Sequence, residues 1–333
     1  MNNNSQIKVI QIGLGPLGQK VVKCMHERKE ISIVAAIDKS IDIVGKDLGE
    51  ICGIGRKIGI KVEKDISIKD KRPDVAIITT ISSIKDMVSQ IEELVNYGVN
   101  VVSSCEELTF PWRTFPELSK RIDELARKNN VAVLGTGVNP GFLMDFLPVV
   151  MTGICEYVEE IKIYRYQDAS IRRIPFQKKV GVGLTIDEFE KRKKSGILRH
   201  VGLTESMHMI AYGLGWKLDK VEDIISPVIA EKDYVTVNYN IGTGMVLGVQ
   251  QTGKGYIKNR QVLTLDFKAS AGEKNPGDTI KIKGKPDINM TINGGINGDI
   301  ATYAILVNAI KSIKSVTPGL KTMLDMSVIT CTQ

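Results

Sequence analysis

Two adjacent glutamates give this sequence its clearest acid and base chemistry. Glu106 and Glu107 lie just past the end of a β-branched run, residues 99–103, that is typical of a buried strand. In open α/β sheets the carboxyl ends of the strands border the crevice where ligands bind, and a carboxylate there can bind a cation and accept its proton. Neighbouring side chains at a strand end point in opposite directions, so one glutamate should face the crevice. We favour Glu106, with Glu107 as the alternative; both could instead be first-turn acids of a helix.

A glycine-rich turn is the second chemical signature, and it predicts a dinucleotide site. The spacing G-x-G-x-x-G begins directly after a predicted strand at residues 7–12 and opens a predicted helix, in whose first turn Pro16 is well suited because it has no N–H. The glycines permit a tight turn, close approach of the backbone to a pyrophosphate and packing of helix on strand, and the helix N-terminus stabilises the anion. The predicted cofactor contacts of this turn are Gly13, Gly15, Pro16, Leu17 and Gly18.

Residues at the ends of later strands complete the predicted cofactor site. Asp38 ends a strand at residues 31–38, where a carboxylate accepts hydrogen bonds from the adenosine ribose hydroxyls, and this favours NAD. Lys39 follows at once and could meet a 2′-phosphate, so NADP stays open. The remaining predicted contacts are Thr79, Thr80 and Ser104. The two threonines leave another strand and would form a second wall beside the nicotinamide ribose, or else cap the next helix.

Four residues farther along the chain are candidates for holding a substrate. Asn139 lies in a second glycine-rich segment, residues 135–142, which is either a loop that faces the ligand or a plain turn. Arg172 and Arg173 are suited to a carboxylate because a guanidinium binds it through two parallel hydrogen bonds. His200 precedes a predicted helix and could reach the substrate, with a structural role as the alternative. Because the chain has three histidines, a metal or Ser-His-Asp mechanism has few residues to use.

The composition is that of a globular protein. Of 333 residues, 43% are hydrophobic and 25% are charged, and the length suits two folded domains. The five cysteines are scattered and form no C-x-x-C pair, so we expect reduced thiols, with neither a disulfide framework nor a zinc site. We therefore expect no bound metal.

Charge and hydropathy exclude two classes of partner. The net charge of +7 is spread along the chain, and its densest run, residues 191–194, ends an acid-first helical pattern that complements the helix dipole. This argues against nucleic acid, which needs clustered lysines and arginines. No apolar run is long enough for a membrane helix, and the first six residues lack the features of a secretory signal. We expect a cytoplasmic protein.

The elements that would position these residues predict an α/β protein of two domains. Short β-branched runs alternate with amphipathic segments, which predicts an N-terminal Rossmann domain with a parallel sheet at residues 1–140. Longer alternating strands, such as 161–166, 234–239 and 261–269, predict a second α+β domain with a mixed sheet. We assign residues 141–298 to substrate binding and dimerisation. The segment 299–333, whose apolar helix we expect to begin with Asp299 as its N-cap, should pack back on the first domain.

Five motifs together resemble a known enzyme family. They are GLGPLG, SSCEELTFPW, GTGVNPGFLMD, RHVGLTES and NGDIATYA, and they are similar to those of the 2,4-diaminopentanoate dehydrogenases and the native amine dehydrogenases. The resemblance covers nearly the whole chain. The first motif is generic, whereas CEEL before FPW and VNPGF before MD are specific in combination. A more distant resemblance links the chain to dihydrodipicolinate reductase.

The resemblance implies a particular reaction. It is the reversible oxidative deamination of 2,4-diaminopentanoate at C4 with NAD or NADP, in the breakdown of ornithine, by a homodimer. The glutamate of the CEEL segment would handle the amine, and this corresponds to Glu106 or Glu107. The histidine-lysine substrate motif of dihydrodipicolinate reductases has no copy here, which argues against synthesis of lysine precursors.

Two rival functions stay open on the sequence. One is reduction of a cyclic imine or an aldehyde in amino-acid biosynthesis on the same fold. The other is a non-catalytic NAD(H)-binding regulator, which the polar groups beyond the cofactor turn argue against but which fold alone does not exclude.

Overall fold

The chain folds into two compact units in a computed structural model that describes residues 6–65, 71–172 and 174–331. One unit takes its described residues from Met1–Leu143 and Asn297–Gln333, and the other takes them from Met144–Ile296. The chain therefore passes from one unit to the other twice.

Strands and helices alternate in the first unit, whereas strands dominate the second. The described strands are β1 (Ile7–Ile12), β2 (Ile31–Ile37), β3 (Val62–Glu63), β4 (Val75–Ile78), β5 (Asn100–Ser103), β6 (Ala132–Gly135), β7 (Tyr157–Asp168), β8 (Lys220–Ile229), β9 (Tyr234–Val235), β10 (Asn240–Ile241), β11 (Val246–Ile257), β12 (Arg260–Ser270), β13 (Gly277–Lys285), β14 (Ile288–Asn293) and β15 (Gly319–Lys321). The described helices are α1 (Pro16–His26), α2 (Leu48–Ile51), α3 (Ile84–Asn96), α4 (Pro116–Lys128), α5 (Phe146–Met151), α6 (Ile174–Lys179), α7 (Ile186–Lys194), α8 (Leu203–Gly213) and α9 (Gly298–Ile313). Short 3-10 helices cover Glu106–Leu108, Thr152–Ile154 and Met323–Asp325.

The described strands of the first unit form a seven-stranded parallel sheet in the order β15-β6-β5-β4-β1-β2-β3. Its central strands are buried on both faces, and Ile10, Val101 and Val133 have no exposed surface. This explains their mainly apolar sequences. The strand order reverses between β1 and β4, which is where open α/β sheets bind ligands. The predicted Rossmann-type sheet is confirmed.

Helices of the first unit begin at residues suited to a first turn. Pro16 starts α1, where its missing N–H leaves nothing unpaired. The prediction that Asp299 caps α9 is wrong, because the Asn297 side chain accepts the N–H groups of Asp299 and Ile300 at 3.0 and 3.1 Å. Asp299 lies instead in the first turn, where its charge complements the helix dipole. α9 packs against α1 and β5 within this unit.

The described strands of the second unit form a six-stranded mixed sheet in the order β14-β13-β7-β12-β11-β8. β7 and β12 are parallel, and the other neighbouring pairs are antiparallel. One face of the sheet buries apolar side chains such as Ile163, Leu265 and Ile280. The other face carries polar and aromatic groups, including Tyr166, whose hydroxyl donates to Asp266 at 2.9 Å. The predicted α+β domain with a mixed sheet is confirmed.

The predicted strand at residues 234–239 is wrong in its length. Strand β9 ends at Val235 and pairs with β10. The Thr236 hydroxyl oxygen accepts the N–H groups of Asn238 and Tyr239 at 3.2 and 2.9 Å, and this turn ends the strand. A threonine that bonds its own backbone in this way competes with strand pairing, and alternation of side-chain polarity does not reveal it.

The basic run at residues 191–194 ends α7, whose first turn contains Asp187 and Glu188. The Glu188 carboxylate accepts the Thr185 N–H at 2.9 Å and completes a capping box, so local helix chemistry accounts for the charges around it. Within the described ranges, no helix is both long and apolar enough to cross a membrane. The same residues contain no cluster of three or more His, Cys, Asp or Glu side chains able to hold a metal ion.

Candidate active site

The glycine-rich turn between β1 and α1 has the shape that a dinucleotide pyrophosphate requires. Gly13 has a φ of +87°, and a Cβ there would lie 2.9 Å from the Thr79 carbonyl oxygen. A Cβ at Gly18 would collide with the Gly13 carbonyl group, whereas a Cβ at Gly15 would meet no atom within 4 Å. Packing therefore requires the first and third glycines, and the open side at Gly15 adjoins the N-terminus of α1, which favours an anion. These residues fit a nicotinamide dinucleotide.

A buried amide that belongs to no motif holds this turn in place. The Gln11 side chain, in β1, has no exposed surface, and its Nε2 donates to the Gly13 carbonyl oxygen at 2.9 Å and to Thr79 Oγ1 at 2.8 Å. Thr79 Oγ1 in turn donates to the Gly13 carbonyl oxygen at 2.9 Å. Two side chains from neighbouring strands thus converge on one carbonyl group. The signal in the sequence was a glutamine between two isoleucines of a predicted buried strand.

The Asp38 carboxylate connects the end of β2 to the glycine-rich turn. Its Oδ2 accepts the N–H of Leu14 at 2.6 Å, and its Oδ1 accepts the N–H of Ser40 at 2.8 Å. Each carboxylate oxygen keeps a second lone pair that can accept a ribose hydroxyl. The negative charge opposes a 2′-phosphate, while Lys39 next to it is exposed. Asp38 therefore fits NAD better than NADP.

The two glutamates after β5 have different surroundings. Glu107 is buried, and its Oε2 accepts the N–H of Ile84, the first residue of α3, at 3.0 Å. It satisfies one of the N–H groups that a helix start leaves without an intrahelical partner. Glu106 is half-buried and opens the 3-10 helix just beyond the carboxyl end of β5. This geometry gives Glu107 a structural contact at the start of α3.

Thr80 and Ser104 lie beyond the carboxyl ends of neighbouring strands. Thr80 is exposed and its Oγ1 donates to Gln90 Oε1 at 3.3 Å, whereas Ser104 is half-buried and joins β4 through its N–H. The N-cap of α3 is Ser83, whose Oγ accepts an N–H of the first turn at 3.4 Å. The alternative explanation of Thr79 and Thr80 as the helix cap is therefore wrong.

The second glycine-rich segment, residues 135–142, packs closely beside the glutamates. A Cβ at Gly135 would lie 2.5 Å from the backbone of the 3-10 helix that contains them. The Val138 N–H bonds to Thr302 Oγ1 of α9 at 3.4 Å. Asn139 is half-buried in this segment. These contacts describe a closely packed loop and not a plain surface turn.

Two of the three candidate substrate residues after β7 are described. The Arg172 guanidinium lies over the ring of Phe176, 4.2 Å from its centroid, and is half-buried. The His200 ring stacks on Phe267 with the two centroids 4.5 Å apart. Arg173 lies outside the described residues.

A buried ion pair in the second unit belongs to no sequence motif. Arg165 Nη1 donates to Asp278 Oδ1 at 3.0 Å, and both side chains are almost fully buried. The Ile296 carbonyl oxygen accepts from Arg165 Nη2 at 3.0 Å, and its N–H donates to Asp278 Oδ2 at 2.7 Å. Burial raises the pKa of Asp278, and the Arg165 charge opposes that rise. The available signal was an arginine that continues the alternation of Ile161 and Ile163 along the strand.

Known proteins are similar to this chain in sequence and in fold. Residues 142–333 match the 2,4-diaminopentanoate dehydrogenase C-terminal domain, and residues 7–107 match the dihydrodipicolinate reductase N-terminus. A 2,4-diaminopentanoate dehydrogenase from Acetoanaerobium sticklandii is 33% identical over 97% of this chain and 94% of its own. An amine dehydrogenase from Streptomyces virginiae is 20% identical over 96% of each chain. The solved structure of an amine dehydrogenase from Mycobacterium smegmatis, 22% identical, shares the fold with a TM-score of 0.86 over 98% of both chains.

The parallel sheet, its glycine-rich turn and the acids beyond β5 define an NAD(P)-dependent dehydrogenase of the Rossmann type. Within that class, the chain belongs to the 2,4-diaminopentanoate dehydrogenase family, because the family's C-terminal domain covers more than half of it and the A. sticklandii relative matches nearly its whole length. The family indicated by the five sequence motifs is confirmed.

Proposed function

We propose that this enzyme catalyses the reversible oxidative deamination of 2,4-diaminopentanoate at C4, giving 2-amino-4-oxopentanoate and ammonia. Its family and its similarity to the A. sticklandii 2,4-diaminopentanoate dehydrogenase support this choice of substrate. The observation that carries the mechanism is the difference between two adjacent carboxylates. The Glu107 carboxylate accepts the N–H of Ile84 at the start of α3, whereas Glu106 is half-buried beyond the carboxyl end of β5.

Glu106 is the group that handles the amine. An ammonium with a pKa of about 10 has no lone pair to assist loss of a hydride from its carbon, so a base must first remove a proton. The Glu106 carboxylate serves as counterion and then as that base. A bound nicotinamide dinucleotide supplies the acceptor for the C4 hydride. Glu106 passes this first proton to solvent and can then accept a proton from the water that adds to the iminium carbon. Return of a proton to nitrogen as the adduct collapses releases ammonia and leaves the ketone.

Different residues of the first unit are assigned to different parts of the cofactor. We assign the pyrophosphate to the turn Gly13–Gly18, including Pro16 and Leu17, and the adenosine ribose hydroxyls to Asp38. Thr79, Thr80 and Ser104 would border the nicotinamide ribose. The acceptor geometry of Asp38 supports NAD as the better cofactor. The substrate contacts that we propose are Asn139, Arg172, Arg173 and His200.

The proposal extends to the setting of the reaction. We infer a step of ornithine breakdown in the cytoplasm, carried out by a homodimer. Cyclic-imine reduction has weaker support, because the family model of the dihydrodipicolinate reductase N-terminus matches residues 7–107, within the first unit, and not the second unit.

A cofactor-reduction screen tests the function. The purified enzyme is mixed with NAD or NADP and with 2,4-diaminopentanoate, ornithine or a simple amine such as 2-aminopentane, and reduced cofactor is followed by absorbance. We expect reduction with 2,4-diaminopentanoate, faster with NAD, and little with ornithine. If a simple amine is oxidised and 2,4-diaminopentanoate is not, the substrate is wrong and the reaction class stands. If no amine reduces either cofactor, the proposed reaction is wrong.

A further inference from the structure

The backbone of His200 is clamped by a buried glutamine. Gln251, in β11, has no exposed surface; its Oε1 accepts the His200 N–H at 2.6 Å and its Nε2 donates to the His200 carbonyl oxygen at 3.3 Å. The same Nε2 donates to both oxygens of Asp223, at 2.9 and 3.0 Å. A buried amide and a carboxylate thus fix a residue that lies in a loop before α8.

The ring of His200 is fixed as well. It stacks on Phe267 at an interplanar angle of 19°. Phe267 pairs in register with Gln251 on one side and with Arg165 on the other, and Arg165 pairs in register with Asp278. The four side chains form one row across β11, β12, β7 and β13 on the face of the sheet that is otherwise apolar. All four are buried.

One atom of this well-supported residue lacks a partner. His200 Nε2 is buried and has no hydrogen-bond partner among the residues that the structure describes. Burial, together with the positive charges of Lys179 and Arg165, lowers the pKa of the ring to about 3. The ring is therefore neutral at physiological pH and can donate one hydrogen bond from Nε2 in the matching tautomer. An unsatisfied buried polar atom in a fixed ring indicates a ligand contact.

The charges near the ring indicate the kind of ligand. Arg165 and Lys179 both act on His200 as positive charges, so an incoming cation would be repelled and an anion attracted. The acid of the row, Asp278, is engaged with Arg165, and Asp223 of β8 accepts from Gln251. A carboxylate has the acceptor oxygens and the negative charge that suit both the N–H and the positive field.

We propose that His200 Nε2 donates a hydrogen bond to the α-carboxylate of the substrate, in the field of Arg165 and Lys179, with Gln251 and Phe267 as positioning residues. This inference rests on the proposed function, because it concerns the carboxylate of 2,4-diaminopentanoate. It makes His200 a residue that selects an amino-acid substrate over a simple diamine. The ring stays neutral, so it takes no part in proton transfer.

The test compares two substrates that differ only in the carboxylate, 2,4-diaminopentanoate and pentane-2,4-diamine. His200→Phe keeps the stacking on Phe267 and loses the donor. We expect its kcat/KM for 2,4-diaminopentanoate to fall by about 10- to 100-fold, because one hydrogen bond to a charged group is lost. The kcat/KM for the diamine should be unchanged. His200→Gln, which places an amide near the Nε2 position, should recover part of the loss. His26→Phe, in α1, is the matched control and should change neither value.

Equal losses for both substrates, or none for either, would overturn the proposal. A second measurement does not depend on turnover: calorimetric titration of the enzyme with NAD bound, using pentanoate as a probe. Wild type should bind pentanoate and His200→Phe should bind at least tenfold more weakly. Equal binding, or no binding by wild type, also overturns it. If no amine is oxidised but pentanoate binding depends on His200, the carboxylate site stands and the proposed function fails.

Discussion

Glu106 and Glu107 are adjacent in sequence, yet equivalent substitutions should have unequal effects. Glu106→Gln keeps the shape of the side chain but can neither balance an ammonium nor accept its proton. We expect kcat for 2,4-diaminopentanoate to fall by a factor of about 100 to 10,000, with NAD affinity unchanged. Glu107→Gln weakens the contact with the Ile84 N–H, so its main effect should be a lower unfolding temperature. Steady-state kinetics, NAD titration and thermal unfolding measure the three quantities.

Two other results would change the assignment of Glu106. If Glu107→Gln is the inactive variant, the catalytic assignment moves by one residue and the mechanism survives. Near-normal deamination by both variants would remove the carboxylate mechanism altogether.

Asp38 has two tasks that different substitutions can separate. Its carboxylate accepts the Leu14 N–H of the glycine-rich turn and, in our proposal, the ribose hydroxyls of NAD. Asp38→Ala should weaken NAD more than NADP, because the charge that repels a 2′-phosphate is lost together with the hydroxyl acceptor. Asp38→Asn keeps one acceptor oxygen for the turn and should shift the ratio of NADP to NAD affinity by about tenfold with less damage to both. Equal weakening of the two cofactors in both variants would contradict this role.

His200 makes stability depend on pH with a definite sign. The pKa of the ring is 6.5 in an unfolded reference and about 3 in the folded protein, chiefly because of burial. Between these values the unfolded chain binds a proton that the folded chain does not, so the unfolding free energy decreases as the pH falls. Relative to His200→Phe, wild type should lose up to about 1.4 kcal/mol per pH unit in this window. Denaturant titrations from about pH 7 to about pH 4 check it. Parallel curves would show that His200 is not protonated on unfolding.

At the scale of elements, the sequence predicted what consecutive residues encode. The apolar run of β1, the glycines after it and the start of α1 lie within twenty residues of one another, so their pattern was sufficient. The same holds for β5 and the glutamates that follow it. Contacts set by strand register could not be predicted. Arg165 and Asp278 are 113 residues apart, and a shift of one residue in either strand would place one of them on the opposite face.

The connection between β1 and β4 gives a prediction at this scale. Gln11→Leu removes the amide that donates to the Gly13 carbonyl oxygen and to Thr79 Oγ1. Because the turn is then held less firmly, the KM for NAD should rise by about tenfold, which corresponds to the loss of one to two hydrogen bonds. The kcat at saturating NAD should stay nearly unchanged. Thr79→Val should act in the same direction. Because the two side chains share one acceptor, the double variant should lose less NAD affinity than the sum of the single losses.

Thr79→Ser is the matched control for that cycle, since it keeps the hydroxyl and should bind NAD like wild type. Unchanged KM values in both Gln11→Leu and Thr79→Val would show that the turn holds its shape without them. A fall in kcat with unchanged KM would assign these residues to chemistry and not to cofactor binding.

On the scale of the whole molecule, both ends of the chain build the same unit. The C-terminal segment adds β15 beside β6 at the edge of the parallel sheet, and α9 packs on α1 and β5. The second unit is one continuous stretch between the two crossings. Sequence composition marked α9 as strongly apolar, and the tertiary contacts explain why, because Leu306, Ala309 and Ile313 have no exposed surface.

The polar face of the mixed sheet is where we place the proposed dimer interface. Tyr164, Tyr166, Thr279 and Lys281 line a groove on this face. The Lys281 ammonium lies 5.8 Å from the centre of the Tyr164 ring. The two tyrosines give this face the aromatic residues that are enriched in protein interfaces. A twofold interface brings equivalent residues of two copies together. A charge introduced at its centre would therefore face the same charge on the other copy.

Thr279→Lys should therefore weaken the dimer. Thr279 lies in β13 on the polar face, half-buried, and repulsion between two introduced ammonium groups should raise the dimer dissociation constant by about tenfold or more. Sedimentation over a range of concentrations measures the constant, with Lys120→Glu on the exposed side of α4 as the control that should leave it unchanged. Monomeric wild type would contradict the homodimer. A dimer that both substitutions leave intact would keep the homodimer and move its interface away from this sheet.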